Sequence, residues 1–137
     1  MSSFKIFDIA GSGMNAQNLR MNIVASNMAN VDAVSSSIDE TYRARQPVFR
    51  ALLNDMNTRA PASGVQMVGV VESKAPLVRE FAPNHAMADK DGYIYRPNVN
   101  MVEEMANMIS ASRAYQNNVE VVNATRRMIS ATINLGK

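Results

Sequence analysis

The sequence predicts a mainly helical α+β fold, in which two long terminal helices pair as an antiparallel coiled-coil hairpin and hold a small β module between them. Two observations carry this prediction. Apolar side chains recur at alternating steps of three and four residues near both ends of the chain, which is the spacing of a coiled-coil seam. The segment between the two periodic ends contains all five prolines and several runs that favour extended structure.

The N-terminal helix is predicted over residues 1–34. Its seam is apolar except at Gln17, and a glycine pair, Gly11 and Gly13, weakens the helix locally. The residues predicted to form this packing and assembly seam are Phe7, Met14, Met21, Val24, Met28 and Val31.

The C-terminal helix is predicted over residues 99–137. Pro97 ends any strand that precedes the helix. Asn100 is a good N-cap, and Glu103 occupies the position of a capping-box acid. Ser112 and Arg126 interrupt an otherwise apolar seam. The seam residues are Met101, Met105, Met108, Tyr115, Val119, Val122, Ile129 and Ile133.

The middle segment, residues 35–98, is predicted to be a small β-rich module. Strands are expected around residues 47–49, 65–71, 77–81 and 93–95, because β-branched and aromatic side chains dominate these runs. Asp91 and Gly92 supply a turn before the last of them. The module therefore joins the end of one helix to the beginning of the other.

The lengths of the helices argue that they run antiparallel. Helices of about 28 and 36 residues are roughly 42 and 54 Å long, too long to fit inside an ordinary 15 kDa globule. Because the module begins and ends at the same end of each helix, the two helices pair side by side. The apolar surface is wider than one seam, so part of it must face another chain or element. The additional residues are Ile9, Ala16, Leu19, Ile23, Val102, Ile109, Val121 and Met128.

Asparagine is unusually frequent in both helices although it is a poor helix former. One interpretation is that these short amides meet backbone groups or other amides across closely packed helices. The alternative is a plain polar face. The candidates for a polar interface are Asn15, Asn27, Asn30, Asn117, Asn118 and Asn123.

Composition argues against several classes of function. The net charge of +2 is spread along the chain without a basic stripe, which disfavours nucleic acid. The chain has no cysteine and one histidine, His85, so no catalytic, cofactor or metal site is predicted. No apolar run approaches the roughly 20 residues of a transmembrane helix, and the N-terminus lacks the apolar core of a cleavable signal peptide. No cofactor, small-molecule substrate or transmembrane segment is expected.

Five stretches carry a resemblance to a known family. They are SGMNAQ (12–17) with ASNMANV (25–31), YRARQPVF (42–49), DGYIYRPNVNMVEEM (91–105) and SASRAYQ (110–116). Together they resemble the bacterial flagellar basal-body rod proteins. In that family an Ala-Asn pair ends the first helix, and Ala29 and Asn30 resemble this pair.

The resemblance implies a structural subunit of the proximal part of the flagellar rod, the torque-transmitting drive shaft that crosses the periplasm, with no catalysis. It implies export through the flagellar type III gate without a cleaved signal peptide. Its implied partners are other copies of the chain, other rod subunits, the membrane ring and the export gate.

Two other functions are weighed against this interpretation. A secreted coiled-coil protein, such as an inner-rod or adaptor component of a type III export system, would share the helices but lack the middle module, and the run 91–116 argues against it. A periplasmic cell-wall hydrolase would need converging carboxylates or metal ligands. Glu103 and Glu104 are adjacent on a helix and do not converge.

Overall fold

The computed structural model describes residues 3–52 and 64–135, and it confirms the predicted α+β class. Two long helices enclose a middle segment of four strands. In chain order the elements are α1 (Ser3–Ala29), β1 (Arg45–Leu52), β2 (Gly64–Glu72), β3 (Val78–Phe81), β4 (Tyr93–Arg96) and α2 (Met101–Leu135). The outermost residues of the predicted helices, 1–2 and 136–137, lie outside the described part of the chain.

Side-chain hydrogen bonds fix the C-terminal end of α1 and the N-terminal end of α2. α1 ends at Ala29, earlier than the predicted residue 34, because the Asn30 Nδ2 donates to the Ser26 carbonyl at 2.7 Å and the chain turns there. Val31 therefore lies beyond the helix. The predicted N-cap of α2 is present, since Asn100 Oδ1 accepts hydrogen bonds from the backbone N–H groups of Val102 at 3.0 Å and Glu103 at 3.4 Å.

The strands form two separate antiparallel sheets of two strands each, β1–β2 and β3–β4. The first is a long ribbon that runs from the pair Arg45 and Glu72 to the pair Leu52 and Gly64, with a register shift between Val48 and Phe49. The second is short and is extended by Ser35, which exchanges backbone hydrogen bonds of 3.1 and 3.0 Å with Tyr95. The connection after α1 is thus attached to β4.

The ribbon lies against α1 and is held there near its far end by Ser12. The Ser12 hydroxyl donates to the Ile9 carbonyl at 2.8 Å and accepts from the Val65 N–H at 3.1 Å. A Cβ at Gly64 would lie 2.6 Å from Ser12 Oγ, and this glycine has a φ of +152°. Only glycine allows the strand to begin this close to the helix.

The two helices pack against each other antiparallel. Gly13 lies against Asn118, the Arg20 guanidinium donates to Asn107 Oδ1 at 2.9 Å, and Asn27 faces Glu104, so positions rise along α1 as they fall along α2. Continuing this register places the start of α1 opposite the turn around Met128. Roughly the last two turns of α2 therefore extend beyond α1.

Few large apolar side chains are fully buried among residues 3–52 and 64–135. The buried apolar residues are Ala10, Ala16, Val24, Ala44, Ile94 and Ala111, and of these Ile94 is the largest. Small residues at the helix contact bring the backbones close together but remove little apolar surface from water. The helix pair consequently depends on close packing and polar contacts more than on a broad apolar core.

The two glycines of α1 provide a test of the register. A Cβ at Gly13 would lie 2.9 Å from Asn118 Nδ2, whereas nothing lies within 4 Å of one at Gly11. We expect Gly11→Ala to raise the free energy of unfolding by up to about 1 kcal/mol through helix propensity. Gly13→Ala should give a smaller gain or a loss, and adding Asn118→Ala should restore the gain. Urea unfolding of the four variants measures this, and equal gains at both glycines would contradict the register.

Candidate assembly surface

Asn27 connects α1 to the β module. Its side chain is 1% exposed, its Oδ1 accepts hydrogen bonds from the Arg45 N–H at 2.9 Å and the Tyr42 hydroxyl at 2.8 Å, and its Nδ2 donates to the Arg45 carbonyl at 2.9 Å. One amide therefore satisfies both backbone groups of the first residue of β1. Asn27 fixes the place at which the ribbon leaves the helix.

Asn98 makes the corresponding connection before α2. Its Oδ1 accepts from the Ala44 N–H at 2.8 Å, and its Nδ2 donates to the Ala75 carbonyl at 2.8 Å. It thereby joins the residues that flank β1 and β2 to the segment that enters α2. Nothing in the sequence around Asn98 distinguishes a bridging amide from a loop amide.

Glu104 is a carboxyl group enclosed between the helices. Its side chain lies in the first turns of α2 and is 8% exposed, and its Oε2 is buried with no hydrogen-bond partner among the described residues. Burial raises the pKa of the Glu104 carboxyl, and the charge of Glu103 reinforces this, whereas a hydrogen bond from Asn27 and the charge of Arg20 oppose it. The contact between the helices thus contains a group that is costly to ionise.

The interface between the helices follows small and polar residues on α2. Its buried residues are Glu104, Ala111 and Thr125, seven or fourteen residues apart, and Asn118 lies in the same row against Gly13. This row is displaced by three residues from the predicted series that contains Met101 and Met108. Small side chains let the helices approach closely, and the larger methionines lie beside that contact.

The predicted seam residues are accordingly divided between the contact and the surface. Val24 is buried and Met101, Met105 and Ile133 are exposed. The half-buried members are Phe7, Met14, Met21, Met28, Val31, Met108, Tyr115, Val119, Val122 and Ile129.

The asparagine candidates are divided in the same way. Asn27 is buried, and Asn30 and Asn118 are half-buried, with Asn118 lying in the contact between the helices. Asn15, Asn117 and Asn123 are exposed. The side chains of these exposed asparagines make no hydrogen bond within the described residues, so a role in packing would need a neighbouring molecule.

α2 exposes many large apolar side chains to water, among polar and charged ones. Eight of its exposed residues are large and apolar, with exposures that range from 40% at Met101 to 88% at Leu135. The chain exposes 9833 Å², about 40% more than the roughly 7,000 Å² expected of a compact monomer of its mass. Such a surface is typical of a protein that is completed by neighbours. The exposed large apolar residues of α2 are Met101, Val102, Met105, Ile109, Val121, Met128, Ile133 and Leu135.

His85 and Asp89, the side chains of the middle segment with the most suitable chemistry for a catalytic or metal site, are parts of turns. His85 is exposed, and its Nδ1 accepts from the Met87 N–H at 3.1 Å. Asp89 Oδ1 accepts from the N–H groups of Asp91 and Tyr93, both at 2.9 Å, and the bond from Tyr93 is the main reason that the pKa of the Asp89 carboxyl is lowered. Within residues 3–52 and 64–135, no three histidine or acidic residues are grouped to hold a metal ion.

The described helices give no candidate for a membrane span, because none is long and apolar enough to cross a bilayer.

Comparison with known proteins identifies the family. Residues 7–35 match the family model "Flagella basal body rod protein", and residues 90–135 match "Flagellar basal body rod FlgEFG protein C-terminal". The chain is 43% identical to the flagellar basal-body rod protein FlgC of Salmonella typhimurium over 137 residues, with 100% of each chain covered. It is 44% identical to FlgC of Escherichia coli O157:H7 over the same length and coverage, and 33% identical to FlgC of Borreliella burgdorferi with 97% of each chain covered.

The chain therefore belongs to the flagellar basal-body rod protein family, a family of structural proteins and not of enzymes. Within that family it groups with the FlgC proteins, to which it is similar along its whole length. The matched segments contain most of α1 and all of α2, so the two helices are the main parts that the family models describe. The alternative of a secreted adaptor receives no support from these relatives.

The buried amide of Asn27 can be tested against an exposed one on the same helix. We expect Asn27→Ala to lower the free energy of unfolding by about 3 kcal/mol, because both backbone groups of Arg45 lose their buried partner. Asn18→Ala, at an exposed position, should be neutral or stabilising by about 0.5 kcal/mol through helix propensity. Urea unfolding compares them, and a similar loss for both would show that Asn27 is not a connecting residue.

Glu104 can be tested against its exposed neighbour Glu103. A raised pKa in the folded state stabilises the helix pair below the unfolded pKa of about 4.3 and loses that contribution as the pH rises through the folded value. We expect Glu104→Gln to raise the free energy of unfolding at pH 7 by about 1 kcal/mol and to flatten its dependence on pH between 4 and 7.

The matched control is Glu103→Gln, which should leave stability unchanged or slightly lower, because an exposed carboxylate in the first turn favours the helix. Far-ultraviolet circular dichroism during urea titration at several pH values measures both variants. An equal response of the two glutamates would mean that burial of Glu104 has no energetic effect.

Proposed function

We propose that the chain is a structural subunit of the proximal flagellar rod and that it assembles through the outward faces of α1 and α2. The observation that carries the proposal is the apolar outward face of α2, which includes Val102, Ile109 and Met128. A monomer gains nothing from keeping these side chains in water, whereas a neighbour's helix would remove them from it. Membership of the rod protein family supports the same assignment.

A rod made in this way has the mechanical properties of a drive shaft. Each subunit contributes two long helices, and α2, with 35 residues, is roughly 52 Å long. Contacts distributed along such a length share a load among many side chains. Contacts between different faces of identical or related subunits also build an open filament whenever the rotation between neighbours does not close a ring.

The partners and location of the subunit follow from the same proposal. Its neighbours would be other copies of the chain and other rod subunits, with the membrane ring and the flagellar export gate as contacts at the base. It would reside in the periplasmic part of the basal body after type III export without cleavage of a signal peptide. The support for these finer assignments is membership of the family.

Substitution on the outward face tests the proposal. Ile109 is 56% exposed, so Ile109→Asp should leave the monomer folded but place a carboxylate against a neighbour's apolar face. We expect at least a tenfold loss, on the order of 1.4 kcal/mol or more, in the amount incorporated into basal bodies, together with loss of motility.

Met87→Asp is the matched control, because Met87 is an exposed apolar residue in a turn away from the helices. Variants are supplied to a strain that lacks the protein, and purified basal bodies are analysed by immunoblot. Normal incorporation of Ile109→Asp would place the assembly surface elsewhere on the chain.

A further inference from the structure

The described elements form two parts that meet mainly through the helix pair. Among residues 3–52 and 64–135, the backbone of the β1–β2 ribbon lies close to that of α1 but not to that of α2, and the β3–β4 sheet lies close to neither helix. One part is therefore α1 with the ribbon, and the other is α2 with the segment that leads into it. The two parts are also joined at the end of the helix pair where α1 stops and α2 begins, which we call the inner end.

Two asparagines, one from each part, hold neighbouring residues at the root of the ribbon. Asn27 of α1 binds the N–H and the carbonyl of Arg45, both at 2.9 Å, and Asn98, which precedes α2, accepts from the Ala44 N–H at 2.8 Å. The Cα atoms of consecutive residues are only about 3.8 Å apart. Both attachments therefore persist only while the inner end stays closed, and one of them must break if the helices separate there.

The attachment made by Asn98 is the one that yields. Asn27 is 1% exposed, and the ribbon has a second hold on α1 where the Val65 N–H donates to Ser12 Oγ at 3.1 Å. Asn98 is half-buried, and besides Ala44 its side chain bonds only backbone carbonyls of the segment after β2. Separation of the helices at the inner end would thus leave the ribbon on α1 and free the entry to α2.

Glu104 lies at the inner end and carries a charge that opposes closure. It is the fourth residue of α2, its carboxyl is enclosed against α1, and its Oε2 has no hydrogen-bond partner among the described residues. From α1 it is faced by Asn27 and by the guanidinium of Arg20, which already donates to Asn107 at 2.9 Å, and on its own helix by the carboxylate of Glu103.

The β module contributes further polar groups behind Asn27. They are the Tyr42 hydroxyl, which donates to Asn27 Oδ1 at 2.8 Å, and the guanidinium of Arg45, which pairs with Glu72 at 3.5 Å. The nearby cations thus already have partners, so an ionised Glu104 is stabilised most by water. Opening of the inner end admits that water, and the ends of helices are the parts that open at the smallest cost.

We propose that Glu104 and Asn98 form a protonation-dependent latch, which holds the start of α2 against α1 while the Glu104 carboxyl is neutral and releases it when the carboxyl ionises. On release, Asn98 leaves Ala44 and the ribbon stays on α1. The latch is a property of the single chain, so it goes beyond the proposed function and does not depend on it.

The direction of the response to pH follows from the two states of the latch. Burial raises the pKa of the Glu104 carboxyl in the closed state, whereas the opened group has the ordinary pKa of about 4.3. The closed state is therefore fully favoured below about pH 4.3 and loses that advantage as the pH rises through the closed-state pKa. The ratio of released to closed molecules grows by up to about tenfold per pH unit in this range and is constant above it.

Spin labels on the full chain, which has no cysteine, test the latch. Ala25→Cys with Ala106→Cys reports the inner end, and Asn15→Cys with Arg50→Cys reports the position of the ribbon on α1, all four positions being exposed. Double electron–electron resonance should show one short distance for the inner pair at pH 4 and a second, longer distance that grows toward pH 7. The ribbon pair should keep its distance, and the far-ultraviolet circular dichroism should not change.

Glu104→Gln removes the ionisable group and should keep the short distance at every pH, whereas the matched control Glu103→Gln should behave like the parent chain. A distance between the labels at 25 and 106 that does not respond to pH would overturn the inference, as would a response that persists in Glu104→Gln. A ribbon distance that lengthens in step, or a loss of ellipticity, would overturn it too, because the chain would then be unfolding as a whole.

Amide hydrogen exchange gives a second test that needs no substitution. The Ala44 N–H is bonded to Asn98 and the neighbouring Arg45 N–H to Asn27. After correction for the intrinsic exchange rate, the protection of the Ala44 amide should fall by up to about tenfold per pH unit in the same range, while the Arg45 amide keeps the larger protection factor. Equal protection and equal pH dependence at the two amides would show that both attachments are lost together, which contradicts release at Asn98.

Discussion

The close approach of α1 to its neighbours on two sides is the constraint on which the remaining structure depends. On one side Gly13 admits Asn118 of α2, and on another Ser12 and Asn27 hold the β1–β2 ribbon. Both contacts need small or short polar side chains, since a larger one would separate the backbones. As a result, the buried apolar residues of the described chain are mostly alanines, and Ile94 is the largest of them. Hydrogen bonds made at fixed positions therefore contribute much of the stability.

The sequence predicted the elements more successfully than it predicted their contacts. Both helices, all four strands and the N-cap at Asn100 were predicted from periodicity and residue preferences, because those signals are local. The side of α2 that packs against α1 was not predicted from these local signals. A seam selected for large apolar residues contains Met101 and Met105, whereas the contact is centred on Ala111 and Thr125, and their small size matters only once a second helix is present.

The sequence also does not show which polar side chains are buried. Asn27 was included among the interface candidates, but so were Asn15, Asn117 and Asn123, which are exposed. Identical side chains at similar helical positions differ only in what lies opposite, and that depends on chain segments far away in sequence. Glu103 and Glu104 are neighbours in the sequence, yet Glu104 is enclosed by α1 and Glu103 faces water.

The two-stranded sheets have a consequence for the handling of the chain before assembly. Within the described residues every strand is an edge strand, and an edge presents unpaired backbone groups to any other extended segment. β1 reduces that hazard itself, because Pro47 removes one donor, Arg45 and Arg50 add charge, and the bulge between Val48 and Phe49 increases the twist. The ribbon is thus protected against indiscriminate strand exchange in a protein that belongs to a family of rod components.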